Sequence, residues 1–147
     1  MGDASLDLGS SEASAEAVDE RLRSDTIGWL VTTRKDGRPH AVPVWFLWWE
    51  GALLIMSEPD TVKVRNVRRS PHALLHLHAD ATGNGVVVRS GAAGISERSA
   101  ADWLPDTRAA YTEKYAAGME SFGMGLDAIA ERFSTVIVLT PDSITAW

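Results

Sequence analysis

The hydrophobic positions of this chain change their period several times, and each change marks an element. "TIGWLVTT" (26–33) is rich in β-branched and aromatic residues and reads as a strand. Asp36-Gly37 follows within Arg34 to Arg38 and supplies the positive-φ geometry of a hairpin turn. The run "PHAVPVWFLWW" (39–49) is then a long second strand. Alternation sets Pro43, Trp45, Leu47 and Trp49 on one face and Val44, Phe46 and Trp48 on the other. Pro43 cannot donate to a ladder, which predicts an edge, a bulge or a ligand-facing break at that point. Glu50-Gly51 turns the chain into a third strand, "ALLIMS" (52–57).

Beyond it the period becomes helical. Asp60 or Thr61 is a suitable N-cap, Val62 to Arg69 fits two helical turns, and Ser70-Pro71 ends them because the residue before proline avoids the helical region. Alternation resumes in "HALLHLHA" (72–79) and, after a turn over Asp80 to Gly85, in a fifth strand (86–96) where Gly91 and Gly94 mark bends or bulges. Composition favours helices at about 15–24, 99–117 and 126–132, and the chain closes on a strand from 134 to 147. Hairpin-linked strands with one inserted helix predict a mainly β fold, a small antiparallel barrel of six or so strands with flanking helices. It occupies 15–147 as one domain, after a small, polar and acidic segment (1–14) expected to be a disordered tail.

Composition narrows the partners. The chain of 147 residues has a formal net charge of −6, which argues against generic nucleic-acid or anionic-membrane binding. Without cysteine there is no disulfide, thiolate chemistry or Cys-based zinc site. The N-terminal residues lack a signal-peptide pattern, and no apolar run reaches the roughly 18 residues of a membrane span, so the expected location is cytoplasmic. No Gly-rich dinucleotide fingerprint or P-loop follows a strand.

Against that acidic background, Lys63, Arg65, Arg68 and Arg69 place four of the fourteen basic side chains in two helical turns. Thr61, Lys63 and the unpaired N–H groups of the first turn lie near the end of the third strand at Ser57. Together they make an anion site suited to a phosphate; the plain alternative is a solvated charged face. The Trp-rich second strand offers flat surfaces and, at Pro43, backbone groups that a planar heterocycle could bond; its alternative is core and subunit interface. His72, His76 and His78 share one strand face, but no carboxylate or cysteine completes a zinc set, and no metal is expected. No serine-nucleophile elbow accompanies His40, Ser57 and Asp60.

Asp36-Gly37-Arg38-Pro39, Pro43-Val44-Trp45-Phe46, and Thr61-x-Lys63-x-x-Asn66 followed by Arg68-Arg69-x-Pro71 occur here in an order and spacing that strongly resembles the flavin and deazaflavin oxidoreductases related to pyridoxamine 5′-phosphate oxidase. The resemblance is dense from Ile27 to Asp80 and extends over the folded chain. It implies a split β-barrel homodimer that binds two flavin-like cofactors in grooves between the subunits. The ring is expected along Pro43, Val44, Trp45 and Phe46, beside Met56. The phosphate is expected at Ser57, Thr61, Lys63 and Asn66, with Arg65 nearby, and C-terminal residues near Trp147 of the other subunit close the groove. The tryptophan-rich strand and the Lys-x-x-Asn-x-Arg-Arg-x-Pro helix look like the branch that uses coenzyme F420, whose carboxylate tail would suit Arg65, Arg68 and Arg69. The implied function is hydride transfer from the reduced deazaflavin to a small electron-poor acceptor such as an enone, lactone or quinone. The alternatives are an FMN-dependent oxidoreductase and a non-catalytic F420-binding or storage protein. The phosphate motif of the vitamin B6 oxidases is absent, and no catalytic residue is assigned.

Overall fold

The computed structural model describes residues 14–147 in full and the backbone of Ser5–Leu6. Its elements in chain order are β1 (Ser5–Leu6), α1 (Ala15–Ser24), β2 (Gly28–Thr33), β3 (Pro39–Val44), β4 (Leu47–Trp49), β5 (Ala52–Ser57), α2 (Val62–Arg69), β6 (His72–His76), β7 (Val87–Ile95), α3 (Ala100–Phe122), α4 (Leu126–Arg132) and β8 (Thr135–Ala146). The expected tail (1–14) lies outside the described residues apart from Ser14 and β1, which pairs in parallel with Ile144 and Thr145 of β8.

The sheet runs β3-β2-β6-β7-β8-β5-β4, and every neighbouring pair on that path is antiparallel. Its two ends are the two halves of the run expected as one strand. Residues 39–44 pair with β2, Trp45 and Phe46 leave the ladder, and residues 47–49 pair with β5 instead. The sheet therefore curls on itself with its opening at Trp45–Phe46, a split β-barrel. Pro43 sits opposite Trp29 on an edge strand, where its missing N–H costs no central ladder bond.

Alternation along the run survives the break. Val44 and Phe46 point into the barrel with Leu30, Leu53, Ile55 and Ile137, all buried. Val18 and Leu22 of α1 and Val64 and Val67 of α2 join that interior. Trp45, Leu47 and Trp49 point outward with Leu54 and Val136, and α3 and α4 cover this face. The β7–β8 register shifts between Ser90 and Gly91, where a side-chain carbon on Gly91 would collide with the Thr140 carbonyl.

The long helix exceeds its expected range of 99–117. Ser99 and Asp102 form a capping box at its start. Gly118 lies inside α3, where its missing Cβ lets the Trp45 ring approach to 3.0 Å of where that atom would stand. The actual stop is Gly123 (φ 76°), whose N–H, with that of Met124, closes on the Met119 and Glu120 carbonyls.

Candidate functional site

Leaving the ladder costs Phe46 its strand partner, and α3 supplies the replacement. The Phe46 N–H donates to Tyr115 Oη at 2.8 Å, and the Phe46 carbonyl accepts from Lys114 Nζ at 2.9 Å. Lys114 Nζ also donates to the Leu22 carbonyl at 3.1 Å and lies 3.6 Å from the centre of the Phe46 ring. One turn of α3 thus ties the barrel's opening to the end of α1. The Tyr115 ring stacks on Trp45 at 4.5 Å with an 11° interplanar angle, and Tyr115 itself departs from helical geometry (φ −117°, ψ 15°).

Beneath this junction is a cavity of about 290 Å³. That is near the lower edge of the range usual for small-molecule sites, about 300–1,000 Å³. Its floor is the outward face of the barrel at Pro43, Trp45 and Met56, with Val44 at its edge, and its roof is α3 and α4 through Tyr111, Met119, Phe122 and Ile129. Its other end is polar. Ser57, buried at the end of β5, has its hydroxyl 2.9 Å from that of Thr61, the N-cap of α2. Lys63 stands in the first turn of α2 and lines the same end.

Burial pushes the Lys63 ammonium below its ordinary pKa, and the nearby Glu58 carboxylate opposes that shift. Among the described residues no carboxylate lies within ion-pair distance of Lys63. The site is thus a flat aromatic wall joined to a hydroxyl pair, a helix start and an unpaired, partly desolvated cation. His40 faces Thr32 across the β2–β3 ladder, and burial together with the Arg34 and Lys63 charges holds its imidazole below the usual pKa.

Seven of the ten sequence-selected residues line this cavity: Pro43, Val44, Trp45, Met56, Ser57, Thr61 and Lys63. Phe46, Arg65 and Asn66 do not. Phe46 is fully buried in the barrel. Arg65 folds back on Asp60, with its guanidinium 2.7 Å from the Asp60 carbonyl and 3.5 Å from the carboxylate. Asn66 is buried, donates to Thr32 Oγ1 at 3.0 Å and accepts from Arg69 at 2.8 Å. Trp147 donates from its indole to the Gly83 carbonyl at 2.8 Å. His76 and His78 surround Trp29, whose indole donates to His78 Nε2 at 2.7 Å.

Sequence reasoning missed the roof. Tyr111, Tyr115 and Met119 recur every four residues and Phe122 follows after three, so one helical face carries them all. That spacing was the available signal.

A family model described as pyridoxamine 5′-phosphate oxidase matches residues 14–147. None of the curated proteins matches the chain. Among solved structures, a conserved hypothetical protein, Rv2991 from Mycobacterium tuberculosis, is 21% identical, with a TM-score of 0.69 over 92% of this chain and 84% of that one. An F420 reductase is 21% identical, with a TM-score of 0.60 over 86% of this chain and 94% of its own. The heme storage protein HutZ from Vibrio cholerae is 17% identical, with a TM-score of 0.61 over 88% and 90% of the two chains. At these identities the likeness is one of fold.

Proposed function

The chain belongs to the pyridoxamine 5′-phosphate oxidase family, and from that premise we propose that it is a reductase dependent on coenzyme F420, passing a hydride from the reduced deazaflavin to a small electron-poor acceptor such as an enone, lactone or quinone. The observation that carries the reading is the pairing, in one cavity, of the Trp45 wall with the unpaired Lys63 cation. A planar ring and a phosphate joined by a short chain need that combination. The donor set fits: Lys63, Thr61 and the N–H groups opening α2 offer positive potential to a phosphate. Trp45 and Met56 offer an apolar plane to a ring.

Bound there, the deazaflavin would supply the hydride chemistry. The chain's own residues would do the rest. Lys63 and Thr61 would anchor the phosphate end, and Ser57 would hold Thr61 in place through their shared hydroxyl contact. Trp45 would fix the ring plane, and the roof residues Met119 and Phe122 would keep water from the reacting carbon. Arg65 and Arg69 are already engaged by Asp60, Thr33 and Asn66. Arg68, exposed on α2, is the better candidate for a tail carboxylate. We assign the protein to a homodimer, in which a second copy would complete the cavity mouth where Phe122 is half exposed. Light scattering of the purified protein tests that assignment.

Among the described residues no histidine lines the cavity, which weighs against the heme storage named for the Vibrio cholerae protein. The decisive assay mixes the protein with reduced F420 or, separately, reduced FMN and a panel of enones and quinones and follows reoxidation. Catalysed reoxidation is the expected result. Tight binding without turnover by any acceptor would make it a storage protein, and turnover confined to reduced FMN would make it a flavin enzyme.

A further inference from the structure

The cavity roof holds two tyrosines one helical turn apart, and their hydroxyls have different fates. Tyr115 Oη accepts from the Phe46 N–H and lies 2.8 Å from the Thr26 carbonyl and 2.9 Å from that of Phe46. Its hydrogen-bonding capacity is used within the protein. Tyr111 is only 6% exposed, yet among the described residues its hydroxyl has no hydrogen-bond partner. A buried phenol ordinarily finds one.

Nor is that hydroxyl sealed in apolar packing. Among the described residues, His40 Nδ1 is the one side-chain polar atom that is both sealed and unpartnered. The Tyr111 oxygen therefore meets open space, and the cavity beside Trp45 is the hollow this side chain lines. Its ring centre stands 6.4 Å from that of Tyr115, which in turn stacks on Trp45. Burial raises the phenol's pKa above its ordinary value, so the group remains an O–H donor across the working pH range.

We propose that Tyr111 donates a hydrogen bond to a carbonyl oxygen of a planar ligand held in this cavity. The inference rests on the functional reading above and adds the polar contact that orients the ligand's ring. A phenol so reluctant to ionise polarises that carbonyl without surrendering its proton. The carbonyl has two possible sources, the cofactor ring and the acceptor substrate, and both present the same planar acceptor.

The test compares wild type with Tyr111→Phe, which keeps the ring and removes only the hydroxyl. Three ligands are titrated by fluorescence: lumichrome, a planar tricyclic dicarbonyl without a phosphate chain, then FMN, then F420. The Michaelis constant for a quinone is measured at saturating cofactor. If the cofactor ring is the source, dissociation constants for lumichrome and cofactor both rise roughly tenfold and the quinone constant does not move. If the substrate is the source, only the quinone constant rises, by a similar factor. No change in any of them overturns the proposal. Wild type that binds lumichrome but neither FMN nor F420 overturns the functional reading, and Tyr111 is then judged on lumichrome alone. Wild type that binds none of the three overturns both. Should Tyr111→Phe fail to fold, the infrared carbonyl stretch of lumichrome on wild type decides. A shift to lower frequency than in hydrocarbon solvent, for lumichrome or for the bound quinone measured in the same way, supports the proposal, and unshifted bands for both overturn it.

Discussion

The two faces of the run from Pro39 to Trp49 carry the same kinds of side chain to opposite ends. Facing inward, Phe46 is fully buried in the cluster with Leu53, Ile55, Leu75 and Ile137, and Val44 joins it at the rim. Facing outward, Trp45 meets a helix pair that covers it incompletely, and the shortfall is a cavity ending at Lys63. Both faces are apolar and both alternate with the same period. What separates them is the covering element: the curled sheet fills its own interior, whereas α3 and α4 leave a hollow over its outer face. Stability is therefore expected from the inner face and binding from the outer one.

The largest effect should come from the inner face. Leu53→Ala is expected to lower unfolding free energy by about 2–5 kcal/mol in a denaturant titration, while the folded fraction keeps its cofactor affinity. An affinity that fell with stability would break the division. Next, Lys63→Ala should weaken cofactor binding by about 1.5–3 kcal/mol, roughly 10–150-fold, because a charged hydrogen bond is lost. Its melting temperature should hold, since among the described residues no ion pair is broken. Tyr115→Phe sharpens the boundary between the faces. It leaves the Phe46 N–H without its acceptor and should cost about 1–3 kcal/mol of stability.

A pH dependence marks the junction between the two faces. Burial lowers the Lys114 pKa to about 7, well below the value of an exposed lysine, although the Asp25 charge opposes the shift. Between about 7 and the ordinary lysine range the unfolded chain binds a proton there that the folded chain does not, so stability from this group rises with pH across that window. Below about 7 both states are protonated, and the cost of burying the charge is present in full. Lys114→Met should flatten that rise in a series of thermal melts.

Most of the fold was legible because alternation, turn residues and caps are local signals. The Asp36-Gly37 turn, the Thr61 N-cap and the Ser70-Pro71 stop each act within a few residues and needed no tertiary information. The break at Trp45–Phe46 was signalled only by Pro43, and its position depends on Tyr115, 69 residues away. The anion end was readable in Thr61 and Lys63 because both belong to one helix start. Arg65 and Asn66 were not separable from them by spacing, since whether they meet the cavity depends on Asp60 and on the packing of α2 against Thr32. The roof was the least legible part. Tyr111 and Met119 mark a helical face, but which surface that face meets is set by the sheet and not by the helix.

The central claim is that one cavity takes a ring at Trp45 and its phosphate at Lys63. Titrating wild type and Lys63→Ala with oxidised F420 and with FMN, following tryptophan fluorescence, tests it most directly, with Trp45→Phe identifying which of the six tryptophans reports. The account predicts saturable quenching in wild type, tighter for F420 than for FMN, loss of most of the signal in Trp45→Phe and a large loss of affinity in Lys63→Ala. Absence of saturable quenching with either cofactor, or equal affinity in wild type and Lys63→Ala, would contradict it.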